Sequence, residues 1–366
     1  MKITLLSAGR ERSVALAADG TAYAWGGVKL LGATLPPGYP GELCTNSPTE
    51  IGHNRFAQPT PLALNRGQPF SVVGDGYVDT LAVTRAGTVL SCRPIVSSEK
   101  GATNSRVGGL PTGASQVACA ETAGFALYPD GSVWSWGMVA QGQLGRKVDE
   151  RTAACGRVEG LPAIASIAAG HGHVLALDRQ GKVWSWGANA AGQLGQGDLR
   201  QTALPTRIAL AAPIVGVAAG DTHSFAVDAE GRLWGWGSNQ FGQVGELLDA
   251  RHEAKYYTQP RRVKTAFAVA QVDAGMFFTV ARSTGGQVFA WGWNGMGQLA
   301  QDGVRASHRP LPLKSLERVT RIAAGVGHTL ALCEQGVFAW GDNRASACGA
   351  FPSTTVQVAP LRIALA

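Results

Sequence analysis

An all-β chain folded as one closed seven-bladed β-propeller is what this sequence predicts, and three observations carry the prediction. A Trp-Gly pair recurs at Trp25-Gly26, Trp136-Gly137, Trp186-Gly187, Trp236-Gly237, Trp291-Gly292 and Trp340-Gly341, with spacings of 50, 50, 55 and 49 between the last five. Glycine supplies 49 of the 366 residues without a strict every-third period, the composition of many tight turns between short strands. The two chain ends carry complementary parts of the repeat, as a closed ring requires.

The units follow in order. The first occupies residues 1–70 and is completed by a closing segment, 356–366. The interval of 111 between Trp25 and Trp136 hides a second unit, 71–115. There "GYVDTLAVTRAGTVLSC" (76–92) matches "GHGHVLALDRQGKVWSW" (170–186), with Leu90 and Ser91 where Trp184 and Ser185 stand. The remaining units are 116–165, 166–215, 216–268, 269–318 and 319–355. Within unit four, "SIAAGHGHVLALD" (166–178) reads as one strand, a turn follows at Gly181, and "KVWSWG" reads as a second. Side chains alternate along a strand, so Trp184 and Trp186 share one face and form a broad plate against a neighbouring sheet. The C-terminal "VAPLRIALA" (358–366) matches "ALPTRIALA" (203–211), which predicts that the last segment pairs into the N-terminal blade and closes the ring.

The "GQLG" segments read as blade closures. Gly142, Gly192, Gly242 and Gly297 permit positive φ, and Leu144, Leu194, Val244 and Leu299 plug apolar space. Unit seven departs with "RASACG" (344–349), and unit six has Ala300 in place of the final glycine.

Composition bounds the function. The chain is 45% hydrophobic and 16% charged, an ordered globular profile. A net charge of +7 over this length favours an acidic partner but is too dilute for a dedicated nucleic-acid binder. No run approaches the roughly 20 apolar residues that span a bilayer. The apolar start is broken by Arg10, Glu11 and Arg12 and aligns with the repeat, so it belongs to the fold. The six cysteines, at 44, 92, 119, 155, 333 and 348, are scattered without a C-x-x-C pair, as reduced thiols in a cytosol would be. The expectation is a soluble, cytoplasmic, monomeric protein without membrane attachment; its Ala and Gly usage points to a bacterial genome.

The phrase "VAAGDTHSFAVDAEGRLWGWGSNQFGQVG" (217–245) resembles the repeat of the regulator of chromosome condensation family. The resemblance covers essentially the whole chain, strongest in units three to six and weakest in unit two. It implies a seven-bladed propeller. It also implies that histidine and aspartate on one face contribute to nucleotide exchange, as in the founding member, where a wedge from one blade drives nucleotide release from a small GTPase. No segment of this chain matches that wedge residue by residue. A bacterial β-lactamase inhibitor shares the same propeller.

Residues that carry chemistry are few. His173, His223 and His328 each stand three residues after a glycine, but the other units place Arg12, Asp79, Ala123 and Phe278 there. A position that accepts Ala or Phe is not a shared catalyst, so these histidines read as mainly structural. His171 and His173 form an H-x-H without a third ligand, Asp221 and Asp228 form no recurring carboxylate pair, and Cys155 has no paired histidine. Nucleophile elbows, phosphate loops, zinc-protease and calcium-loop motifs are absent from the sequence. The chain reads as no enzyme, with no metal and no cofactor.

Function then falls to the segments that interrupt the repeat, because binding residues concentrate on loops carried by a rigid scaffold. Three stand out, at 27–62, 145–160 and 246–264. The third interleaves Arg251, Lys255, Arg261, Arg262 and Lys264 with Tyr256 and Tyr257, residue types that anchor interfaces; the competing reading is a solvated loop over the blade below. The sequence therefore predicts a non-enzymatic propeller that binds a protein partner through loops on one face. The alternatives are a guanine-nucleotide exchange factor for a small GTPase and, with less support, nucleic-acid or chromatin attachment.

Overall fold

A computed structural model of the chain describes residues 1–30, 42–43, 55–64, 67–76, 80–93, 95–96, 103–138, 140–148, 152–246, 255–349 and 355–365. It is an all-β, seven-bladed propeller in which each blade is an antiparallel sheet whose four principal strands follow chain order. Blade 4 illustrates the plan with Ile164–Ala169, His173–Asp178, Val183–Gly187 and Thr202–Arg207. The first strands of the seven blades are innermost: Ile3–Ala8, Phe70–Asp75, Gln116–Cys119, Ile164–Ala169, Ile214–Ala219, Val269–Ala274 and Arg321–Ala324. They line an axial channel of about 710 Å³. No helix among the described residues is long and apolar enough to cross a membrane.

The single strand expected over 166–178 is in fact two, separated by a turn at Gly170–Gly172. The glycine permits this because a Cβ on Gly170 would lie 2.1 Å from the Gly220 carbonyl oxygen of the next blade. With no side chain there, the turns of adjacent blades pack against one another around the axis. Backbone bonds join them, including Asp221 N–H to Gly275 O at 3.2 Å and Val326 N–H to Gly9 O at 3.0 Å.

The core lies in the joints between blades. In the joint of blades 3 and 4, Trp186 is fully buried with Phe125, Leu144, Val158 and Val174. Its indole N–H donates to Gln143 O of blade 3 at 2.8 Å, so the ring is both apolar filler and a polar tie. Trp236, Trp291 and Trp340 make the same bond to Gln193 O, Gln243 O and Gln298 O at 2.8–2.9 Å. The motif's asparagine holds its own loop. Asn189 Oδ1 accepts the Leu194 N–H at 3.0 Å, and Asn239, Asn294 and Asn343 do likewise for Val244, Leu299 and Cys348. Gly192 and its counterparts in blades 3, 5 and 6 have φ of 74–78°, whereas Ala300 (φ 52°) and Ser346 (φ 59°) take the left-handed region with a side chain.

Ring closure differs from the expectation. The C-terminal strand Val356–Arg362 pairs with Gly336–Asp342 as the outer strand of blade 7, and blade 1 is complete from its own residues. The match between "VAPLRIALA" and "ALPTRIALA" stands, but the latter includes the outer strand of blade 4, so both segments end a blade rather than begin one. The ring closes through side-chain packing and through the Val326 N–H bond to Gly9 O. Leu6, Ala15 and Trp25 pack with Leu330, Val337 and Cys348, and Trp25 Nε1–H and Ser13 Oγ–H both donate to Ala347 O.

Candidate protein-binding face

Strand direction gives the ring two distinct faces. On one lie the tight hairpins from second to third strand and the passages to the next blade. On the other, here the loop face, lie the glycine turns after the inner strands and the connections from third to outer strand. Each of the three interruptions joins a third strand to an outer strand. They run from Ala22–Leu30 to Arg55–Ala63, from Val133–Met138 to Thr152–Arg157, and from Leu233–Ser238 to Tyr256–Arg262. All three therefore leave from the loop face. Within the first, Glu42–Leu43 adds to the blade 1 sheet beside Arg55–Ala63, and Ile95–Val96, from the connection after Val89–Arg93, joins the same sheet parallel to Ala22–Leu30.

The repeat histidines are buried within the joints. His173 Nε2 lies 2.8 Å from Ser224 Oγ, His223 Nε2 lies 3.1 Å from Thr279 Oγ1, and His328 Nε2 lies 2.9 Å from Ser13 Oγ. Each hydroxyl gives its proton to a main-chain carbonyl, Gln193 O, Gln243 O or Ala347 O, at 2.8 Å. The hydroxyl must then accept from the ring, which places the imidazole proton on Nε2. The three Nδ1 atoms have no hydrogen-bond partner among the described residues. Protonating them would bury an unpaired charge, and burial pushes His173 and His223 down to about 3 and His328 to about 4. As neutral side chains, the three histidines tie their blades to the next through Nε2.

Where histidine is replaced, the joint changes character. Arg12 of blade 1 donates through Nη2 to Asp75 Oδ1 of blade 2 at 2.9 Å, a buried ion pair to which Thr80 Oγ1 adds a hydrogen bond. Phe278 of blade 6 offers no donor, and Thr329 Oγ1 of blade 7 is buried without a hydrogen-bond partner among the described residues. Asp79 lies outside the described residues. Beside the channel mouth on the loop face, His171 Nε2 lies 3.1 Å from Glu121 Oε2. Among the described residues, no three His, Cys, Asp or Glu side chains cluster as a metal site would require.

The third interruption is partly strand. Arg251 lies outside the described residues, and Tyr256–Arg262 is the outer strand of blade 5. Lys255 and Tyr256 are exposed, but Tyr257 is 9% exposed and packs in the core with Val244 and Val263. Arg262 lies over the Trp234 ring, 5.4 Å from its centroid. Lys264 pairs with Glu246 at 3.3 Å, and Glu246 also accepts from Arg309 of blade 6 at 2.8 Å. Arg261 is half-buried on the strand. The structure thus separates Lys255 and Tyr256, which face solvent, from Tyr257 and Arg262, which pack on the blade, while Lys264 is exposed and paired with Glu246. In the second interruption Arg146 turns inward to Ser135 Oγ at 3.1 Å.

Sequence reasoning passed over Phe241, Phe277 and Trp293, which meet at the joint of blades 5 and 6 on this face with centroids 5.0–6.2 Å apart. Aligning all seven units column by column would expose them, because most sister units carry small or polar residues at those positions, with Met138 and Met296 as the large apolar exceptions.

The family model of the RCC1-like domain matches residues 37–365. The mitochondrial RCC1 domain-containing protein RUG3 of Arabidopsis thaliana is 42% identical over 86 residues, 22% of this chain and 19% of that protein. The secretion-regulating guanine nucleotide exchange factor of Bos taurus is 39% identical over 97 residues, 26% of this chain and 21% of that protein. The matching segments thus span about a fifth of each of these relatives. Among solved structures, human WBSCR16 superposes with a TM-score of 0.75 at 25% identity, over 91% of this chain and 92% of that one.

Proposed function

The chain belongs to the RCC1-like domain family, and from that premise we propose that it is a non-enzymatic module that grips a protein partner on the loop face. The observation that carries this reading is the placement of all three interruptions on third-to-outer connections, so that residues outside the repeat concentrate on one side of the ring. The scaffold supporting them is rigid, since joints braced by buried tryptophan and histidine bonds leave little freedom for the blades. Lys255 and Tyr256, with Arg251 from the same connection, are the contact residues proposed from that interruption.

Orientation tests the reading. The chain is tethered through Gln180→Cys on the hairpin face or through Ala190→Cys on the loop face, both exposed positions. A protein partner should be recovered stoichiometrically from the first and lost from the second; equal recovery from both sinks the assignment.

A second reading is exchange of guanine nucleotide on a small GTPase, favoured by the likeness to the bovine exchange factor and by the position of His171 and Asp221 beside the channel mouth on the loop face. Such a propeller would act by binding the nucleotide-free state more tightly, which needs no metal or cofactor of its own. Faster release of labelled GDP from a panel of small GTPases supports it, and unchanged release across the panel excludes it for those GTPases.

A further inference from the structure

The joint of blades 5 and 6 presents an apolar cluster to the loop face. Phe241 comes from the third-to-outer connection of blade 5, Phe277 from the glycine turn of blade 6, and Trp293 from the end of the third strand of blade 6. Their centroids are 5.0 Å (Phe241–Phe277), 6.2 Å (Phe241–Trp293) and 6.1 Å (Phe277–Trp293) apart. All three are half-buried, and Met276 beside them is 36% exposed.

The fold does not require these side chains. At the same repeat positions other blades carry Gly172 or Thr222 for Phe277, Ala188 or Ser238 for Trp293, and Gln141 or Ala191 for Phe241, on the same strand framework. Three large rings kept partly in water where glycine, alanine or serine would fold the blade mark a contact surface rather than a core. Aromatic rings in a shallow cluster are also the side chains most often found to dominate binding energy.

Charge around the cluster narrows the partner. The Lys255 carbonyl accepts the Asn239 N–H at 2.7 Å, and the Arg305 carbonyl accepts the Asn294 N–H at 2.9 Å. These bonds hold both cationic residues, each exposed, next to the loops that carry Phe241 and Trp293. His308, also exposed, lies against Gly242. Asp221 stands on the axial side, its N–H bonded to Gly275 O at 3.2 Å. The outer rim is thus cationic and the axial rim carries a carboxylate.

Resting on the loop face as the binding face, we infer that this cluster is the anchor site for a protein segment that inserts an aromatic or branched aliphatic side chain. Carboxylates adjacent to that side chain on the partner meet Lys255 and Arg305. The anchor displaces water from three rings at once, and the flanking carboxylates set its direction toward the outer rim.

Displayed random peptides about 12 residues long, panned against the full chain, test this. Enriched peptides should carry one large apolar residue with Asp or Glu close by. Affinity for Phe241→Ala/Phe277→Thr/Trp293→Ser should fall by at least about 30-fold, the usual threshold for a dominant contact. That variant installs sister-blade residues, so its melting temperature should stay near that of the parent; Trp293→Ser alone gives the same reading with less disturbance. Lys255→Glu with Arg305→Glu should weaken binding about fivefold. Peptides that bind the triple variant as well as the parent overturn the inference, as do binders with basic residues beside the anchor or no enrichment over a pool panned on the variant. A partner still captured through the loop face by the triple variant overturns this inference and leaves the face assignment standing. Loss of orientation dependence overturns the face assignment itself.

Discussion

Two threonines in equivalent places offer a controlled measurement of what the inter-blade tie contributes. Thr279 and Thr329 both lie in the second strand of their blades, fully buried and paired in register with Trp291 and Trp340. Thr279 Oγ1 accepts from His223 Nε2 at 3.1 Å and donates to Gln243 O at 2.8 Å, whereas Thr329 Oγ1, with Phe278 in the histidine's place, has no hydrogen-bond partner among the described residues. Valine has nearly the shape of threonine, so Thr→Val changes the hydroxyl and little else. Thr279→Val leaves the His223 Nε2–H buried without an acceptor, while Gln243 O keeps the Trp291 indole at 2.9 Å. One stranded buried donor costs about 1–3 kcal/mol. At Thr329 the same substitution removes an unpaired hydroxyl and should be neutral or stabilising by up to about 1 kcal/mol. With an unfolding entropy of about 2.1 cal/mol/K per residue, a chain of this length changes Tm by roughly 1.3 °C per kcal/mol. Calorimetry at pH 7.5 should then show Thr279→Val melting about 1–4 °C below the parent, with Thr329→Val at or slightly above it. Equal losses for the two variants would refute the argument, since burial and strand position are matched while the hydrogen bonds of the two hydroxyls differ.

Acid should loosen the joints. The unfolded histidines titrate near 6.5, but His173 and His223 are held down to about 3 and His328 to about 4 in the fold. Their contribution is complete above pH 6.5 and is lost progressively as pH falls toward 4, because the unfolded chain takes up protons that the folded chain refuses. Asp273, which burial raises to about 6, works in the opposite direction and offsets part of the loss. The urea midpoint should therefore fall between pH 7 and pH 4.5, and a flat profile would contradict the neutral, buried assignment. Separately, Ala300→Gly should stabilise the chain by about 1 kcal/mol, because glycine takes the left-handed backbone that alanine holds at φ 52°. A rise in the urea midpoint checks this, and a fall would mean that the alanine methyl packs well enough to outweigh its strain.

Much of the ring was legible because a repeated phrase fixes local chemistry. In units four to seven the Trp-Gly tryptophan and the loop asparagine each make the same bond, so one unit read correctly describes several. The seven-fold count followed even through unit two, where Leu90 stands in for tryptophan. Repetition could not supply phase. The segments 203–211 and 358–366 are alike whether they open a blade or end one, and only pairing of Val356–Arg362 with Gly336–Asp342 decides it. Nor does composition separate braces from contacts. Tyr256 and Tyr257 are adjacent and identical, yet strand alternation exposes one and buries the other. Lys264 reads as a free cation until Glu246 is found 18 residues earlier and 3.3 Å away.

The sequence by itself determined the architecture, because closing a ring of like sheets depends on periodic apolar and turn residues that recur at local spacing. Tertiary structure alone decided the faces and the sites. Phe241, Phe277 and Trp293 are separated by up to 52 positions and belong to two blades, so no local window joins them. They become one surface because antiparallel strands return each third-to-outer connection to the same side of the ring, and because neighbouring blades pack closely enough for their rings to touch.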